Sequence, residues 1–221
     1  RTYMRYKCLV LDHDDTVVNS TASIHYPAFL EALKILRPGV EPLTLEEYFK
    51  ENFDPGFIEL CQNRYHMTDA DLEIEVECWR KYVENHIPKA YPGMKEIITR
   101  QKEEGGYVCV VSHSYDFNIR RDYEANGLPA PDMIFGWECK PEQRKPSTYA
   151  LEQIAAKYGL KPSEMVMVDD LKPGYDMAKS FGAPFIGAGW ANDIDTIRSF
   201  MQHNSDYYFT DIKELEQFLF S

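Results

Sequence analysis

Three short apolar runs in the chain end in residues able to do chemistry. Leu11 is followed by Asp12-His13-Asp14-Asp15-Thr16, Val111 by Ser112, and Val168 by Asp169-Asp170, with Lys145-Pro146 between the last two. If these runs are strands of an open parallel sheet, the residues after them gather at its carboxyl edge, where such sheets bind ligands. Carboxylates crowded at one edge repel each other and need a reason. A hard divalent cation is one, since Mg2+ takes oxygen ligands, usually one or two carboxylates with water and substrate phosphate. A lysine and a hydroxyl beside it supply the counter-charge and hydrogen-bond donor that a phosphoryl group needs. A further carboxylate, not spent on metal, can act as nucleophile or proton carrier.

The elements that must position these groups are legible in part. Strand candidates lie at residues 6–11, 107–111, 165–168 and 185–186, with weaker ones at 133–135 and 207–209. Near-continuous apolar runs suit strands covered on both faces, as in a parallel sheet. Helix signals fall between them. Pro92-Gly93 precedes a helix over 94–104, and Gly105-Gly106 ends it. Pro146 opens a helix through Tyr158, closed by Gly159; Gly182 closes one over 175–181; Asp211 with Glu214 opens the last. Strand–helix alternation implies an α/β fold with a doubly wound parallel sheet. Residues 21–89 break the alternation. Phe29, Leu33 and Leu36 share one helical face, Leu72, Val76, Trp79 and Val83 another, and Thr44/Glu47 and Thr68/Asp71 read as helix starts. The stretch therefore reads as an inserted α-helical unit, because an unstructured loop of that length is improbable in a compact domain.

Composition narrows the classes. The chain has 221 residues, 24 basic against 36 acidic side chains and a net charge of −12. That balance opposes general nucleic-acid binding, which needs basic stripes facing phosphates. No apolar run reaches a membrane span, and no signal-peptide pattern is visible. Five cysteines without a CxxC point away from a disulfide framework or zinc site, and toward a reduced, cytoplasmic protein.

In order and spacing, the motifs resemble the haloacid dehalogenase superfamily, in its phosphatase and β-phosphoglucomutase-like branch with a helical cap. Asp12-His13-Asp14-Asp15-Thr16 resembles the family's Asp-x-Asp-x-Thr motif, Val110-Val111-Ser112 its second motif, Lys145-Pro146 its phosphate-side lysine, and Val168-Asp169-Asp170 its acidic metal motif. Tyr91-Pro92-Gly93 resembles the return from cap to core. The resemblance implies a Rossmann-like core at residues 1–20 and 90–221 and an α-helical cap at 21–89. It implies Mg2+-dependent hydrolysis of a small phosphorylated metabolite through an aspartyl-phosphate. Asp12 would be the nucleophile and Asp14 the acid and base. Mg2+ would be held by Asp12, the Asp14 carbonyl and Asp170, with Asp169 in support. Ser112 and Lys145 would hold phosphoryl oxygens, and Thr16 would orient the turn.

Two departures stand out. His13 takes a place that is usually apolar in the family, where it either lines the cavity or is merely tolerated. Gly174 falls where many relatives carry a second acid. Residues outside the motifs, His113 and the helical unit's His25, Tyr26, Arg64, Tyr65 and His66, are candidates to meet substrate, and Trp79 is read as core of that unit. A phosphosugar mutase shares the core and stays open as an alternative. A phospho-acceptor signalling module has similar chemistry, but the length, the helical insertion and the motif order oppose it.

Overall fold

A computed structural model describes residues 3–221. In chain order its strands are β1 (Cys8–Leu11), β2 (Val18–Asn19), β3 (Lys89–Ala90), β4 (Tyr107–Val111), β5 (Met133–Phe135), β6 (Met165–Asp169), β7 (Phe185–Ala188) and β8 (Tyr207–Phe209). The helices are α1 (Tyr26–Leu36), α2 (Leu45–Phe53), α3 (Phe57–Glu59), α4 (Asp69–Glu84), α5 (Met94–Glu103), α6 (Asp116–Ala125), α7 (Tyr149–Tyr158), α8 (Lys172–Phe181), α9 (Asp195–Asn204) and α10 (Ile212–Leu219). The chain divides into two compact units, one ending at Val18 and resuming at Lys89, the other Asn19–Pro88.

The first unit is built on a six-stranded sheet in the order β5-β4-β1-β6-β7-β8, parallel throughout. β1 is the centre: Leu11 lies opposite Val110 of β4 and Val168 of β6. Successive strands run outward on one side of β1 and then on the other, so the crossovers leave a crevice at the carboxyl end of β1. Leu9, Leu11, Val108, Val110, Val166 and Val168 share a buried cluster with Ile97 of α5, Ile119 and Tyr123 of α6 and Leu215 of α10. The alternate residues Cys8, Val10, Cys109, Met165 and Met167 are equally buried. Burial on both faces is why the runs are apolar at every position. The sheet is thus the α/β, Rossmann-like one expected.

The local reading needs correction in places. Helices α6 and α9 have no strong end signals in sequence and add to the expected elements. α7 starts at Tyr149, not at Pro146. The residue before a proline disfavours helical backbone, and here Lys145 is bound to two buried acids instead. α8 starts three residues earlier than expected, with Pro173 in its first turn, where its missing N–H has no intrahelical acceptor to lose.

The second unit is helical. Its core gathers Phe29, Leu33, Leu43, Tyr48, Leu60, Cys61, Tyr65 and Met67. Thr44 with Glu47 and Thr68 with Asp71 form reciprocal capping boxes that start α2 and α4. Several polar residues here have structural partners: Tyr26 donates to the Leu43 carbonyl, Arg64 pairs with Glu47, and the half-buried Trp79 donates to His25 Nδ1 at 2.8 Å. On α4 the buried residues are Glu75 and Val83, while Val76 is only partly covered. No helix among the described residues is long and apolar enough to cross a membrane.

Glu75 is 3% exposed, and burial pushes its carboxyl up to about 7, with His25 only partly opposing. Its folded value exceeds its unfolded one, so ionisation works against folding. Wild-type stability should fall by about 1.4 kcal/mol per pH unit between about pH 5 and 7 relative to Glu75→Gln. Urea unfolding of both proteins across that range checks this; parallel curves would refute it.

Candidate active site

The site grows from the carboxyl end of β1. The Asp12 amide donates to the Val168 carbonyl at 2.9 Å, extending the β1–β6 ladder by one residue. The chain then turns tightly. The His13 carbonyl accepts from the amides of Thr16, Val17 and Val18, at 3.3, 2.9 and 3.2 Å. Asp15 sits at φ 62°, a left-handed conformation that aspartate tolerates better than most residues. The buried Thr16 hydroxyl lies 3.1 Å from Asp12 Oδ2 and 3.4 Å from Asp170 Oδ1, tying the turn to the end of β6.

Five of the expected groups meet here. Lys145 Nζ donates to Asp12 Oδ1 at 3.0 Å and to Asp169 Oδ2 at 2.9 Å, and all three side chains are nearly fully buried. Asp12, Asp169 and Asp170 each bring a carboxylate oxygen within 4.8 Å of the others. Thr16 joins them through the contacts above. Ser112 follows β4, its amide bonded to the Phe135 carbonyl. Its Oγ accepts from the Ser114 amide at 3.0 Å, which leaves the hydroxyl hydrogen to point elsewhere. Asp14 is partly exposed, and its Oδ2 accepts from the Ser114 hydroxyl at 2.5 Å.

Electrostatics separate the acids. Burial works against the charge on Asp12, but the Lys145 ammonium and a hydrogen bond with Asp170 outweigh it and hold Asp12 below the usual carboxylate range. Burial and the Asp12 charge push Asp169 up to about 7 despite Lys145. Burial and the charges of Asp12, Asp169 and Asp15 push Asp170 well above its usual value. Burial also opposes the charge on Lys145, yet Asp12 and Asp169 more than offset it and keep the ammonium protonated. The site therefore holds more acid than its own cation balances. Its oxygen-only donor set is of the kind hard divalent cations take.

The structure brings further residues to the site. Ser114 is two positions beyond Ser112 and could have been found by reading the loop further. Trp190 follows β7 and donates from Nε1 to the Thr16 carbonyl at 3.0 Å. The Tyr91 hydroxyl is buried with no hydrogen-bond partner among the described residues. Burial and the nearby Asp15, Asp170 and Asp14 charges push it upward. His113 is exposed, its ring edge-on to Trp137, while His13 is buried and turned into the core. The Gly174 departure has a steric cause: a Cβ there would overlap Asp169 Oδ2 and clash with its Cγ and Cβ. Asp169 occupies the space a second acid would need.

This fold and this cluster define a hydrolase of the haloacid dehalogenase type. The pattern of haloacid dehalogenase-like hydrolases matches residues 6–182, and the chain belongs to that family. Among curated proteins it is similar to phosphoglycolate phosphatase of Vibrio vulnificus, 22% identical over 195 residues, covering 84% of this chain and 85% of the relative. It is also similar to that of Haemophilus influenzae, 24% identical over 156 residues and 67% of each. Among solved structures, a predicted phosphoglycolate phosphatase from Haemophilus somnus superposes with a TM-score of 0.75 at 19% identity, covering 97% of this chain and 98% of the other. CbbY from Rhodobacter sphaeroides, in complex with xylulose-(1,5)bisphosphate, superposes with a TM-score of 0.72 at 20% identity, covering 95% and 96%.

Gly174→Ala should destabilise the protein by about 1–3 kcal/mol, as overpacking of a filled site does. Urea unfolding measures it, and an unchanged midpoint would show that Asp169 is free to move.

Proposed function

We propose that the protein is a Mg2+-dependent phosphatase that hydrolyses a small phosphate monoester through an aspartyl-phosphate on Asp12. The observation that carries this reading is the geometry of the acids: Asp12 emerges at the carboxyl end of the central strand, paired with the buried Lys145 ammonium at 3.0 Å, with Asp169 and Asp170 bringing carboxylate oxygens within 4.8 Å. In the first half-reaction an Asp12 oxygen forms a bond to phosphorus as the bond to the leaving oxygen breaks. Asp14 gives its proton to that leaving oxygen. In the second, water attacks phosphorus, Asp14 takes its proton back, and the Asp12–phosphorus bond breaks to release inorganic phosphate. One group thus serves as acid and then base. Ser112 and Lys145 hold phosphoryl oxygens, Ser114 aims Asp14, and Thr16 fixes the turn between the acids. Asp12, Asp170 and the Asp14 carbonyl, with Asp169 in support, would hold Mg2+, which supplies positive charge opposite the phosphoryl oxygens.

The division of labour that goes with this reading is a core of residues 1–20 and 90–221 and a cap of residues 21–89. The substrate class is supported by the relatives' names and by the sugar bisphosphate in the CbbY structure. The net charge of −12 favours a small ligand over nucleic acid as partner, and the free cysteines suit a cytoplasmic setting. Asp14 beside the nucleophile favours turnover over a signalling module that must keep its phosphate.

Phosphate release from p-nitrophenyl phosphate should require Mg2+, stop with EDTA, and fall at least about 10³-fold in Asp12→Asn. Turnover that survives Asp12→Asn would sink the mechanism. Ser114→Ala should slow hydrolysis of alkyl phosphates by about tenfold and that of p-nitrophenyl phosphate much less, because a poor leaving group needs the aimed acid most. Equal losses on both substrates would remove Ser114 from that role.

A further inference from the structure

We infer that His13 and Asp122 form a positioning pair that fixes the turn carrying Asp12 and Asp14; this rests on the phosphatase reading above. His13 continues the alternation of Leu9 and Leu11, so its ring enters the core on the α6 face of the sheet. There Nε2 lies 2.8 Å from Asp122 Oδ2, with His13 1% and Asp122 3% exposed. A carboxylate only accepts, so Nε2 carries the hydrogen. The next residue of α6, Tyr123, stacks on the same ring at 5.8 Å between centroids. The other carboxylate oxygen, Oδ1, accepts from Arg121 Nε and a terminal guanidinium nitrogen at 3.1 and 2.9 Å. Consecutive side chains of one helix thus hold the ring by an edge and by a face.

The backbone of the same residue organises the turn. The His13 carbonyl accepts three amides, those of Thr16, Val17 and Val18. Asp12 and Asp14 are its immediate neighbours. A shift of the ring is therefore a shift of the turn. An apolar side chain would fill the space at lower desolvation cost, and buried polar or ionic pairs are often replaceable by apolar groups without loss of stability. What an apolar side chain lacks is direction. The hydrogen bond sets the ring's rotation, and through it the carbonyl to which the turn is bonded. It also ties the nucleophile's turn to the helix that follows Ser112 and Ser114, so the acids and the hydroxyls share one support.

The test compares wild type, His13→Leu, Asp122→Asn, His13→Gln and the Asp12→Asn control as full-length chains. Two readouts are taken: steady-state hydrolysis of p-nitrophenyl phosphate with Mg2+, and hydrogen–deuterium exchange of peptides covering residues 12–18 in metal-free protein. His13→Leu should exchange faster in that segment, and kcat should fall by about 10- to 100-fold, the range expected of small misplacements, with KM little changed. Asp122→Asn should do the same more weakly. His13→Gln places a donor at similar reach and should recover most of both losses. Unchanged exchange in residues 12–18 would overturn the tether. Loosened exchange with kcat unchanged would overturn its catalytic role. Losses in His13→Leu that His13→Gln does not recover would reduce His13 to packing. A wild type no faster than Asp12→Asn would instead bring down the phosphatase reading, and the exchange data would still decide the tether.

Discussion

The structure turns on one buried cation. Lys145 holds Asp12 and Asp169 at 3.0 and 2.9 Å in a place where none of the three has much access to water. Taking charges out of water costs several kcal/mol each, repaid only by close geometry and further hydrogen bonds. Those bonds are supplied locally: Thr16 to Asp12, and the Leu171 amide to Asp169 Oδ1 at 2.9 Å. The cluster still carries more acid than one ammonium can neutralise, and the excess is expressed as proton affinity on Asp169 and Asp170. Asp12 is exempt, because Lys145 and the bond from Asp170 both favour its charged form. In the metal-free cluster, one carboxylate is thus kept charged beside two with raised proton affinity by environment alone.

The sheet makes that crowding possible. β1 lies between β4 and β6, so Asp12, Ser112 and Asp169–Asp170 emerge side by side at one edge although they are far apart in sequence. Lys145 reaches them from the segment before α7. Around the cluster the packing leaves little slack. Gly174 is as small as it is because the Asp169 carboxylate fills the space above it. The Trp190 indole closes the turn from the end of β7 through the Thr16 carbonyl. The doubled acid of β6 and the glycine of α8 are therefore a single arrangement, not two separate departures.

The second unit follows different rules. Capping boxes start its helices α2 and α4, and an aromatic-rich core holds it together, in which Phe29 meets Tyr48, Phe57 and Tyr65. Glu75 interrupts that pattern as a buried acid on α4, where periodicity alone assigns Val76 to the covered face. Apolar periodicity fixes which stripe of a helix faces inward only to within about a residue, because neighbouring positions lie only about 100° apart around the axis.

Much of this protein was legible in one dimension. Strands buried on both faces are apolar throughout, so β1, β4 and β6 stand out, and the residues that follow them name the acids and the hydroxyl. Capping boxes and glycine stops are local chemistry and mark the ends of several helices. Long-range pairing is another matter. That His13 would turn inward to Asp122 and that Ser114 would hold Asp14 depend on segments about a hundred residues apart in sequence, and that Asp169 would exclude a side chain at Gly174 depends on how closely α8 approaches the end of β6. α6 and α9 lack strong end signals and are stabilised by packing against the sheet. Sequence determined which chemical groups the sheet edge could offer. Only tertiary structure decided which acid stays charged, because a carboxyl's proton affinity is set by burial and by the charges brought beside it, and neither is a property of the residue itself.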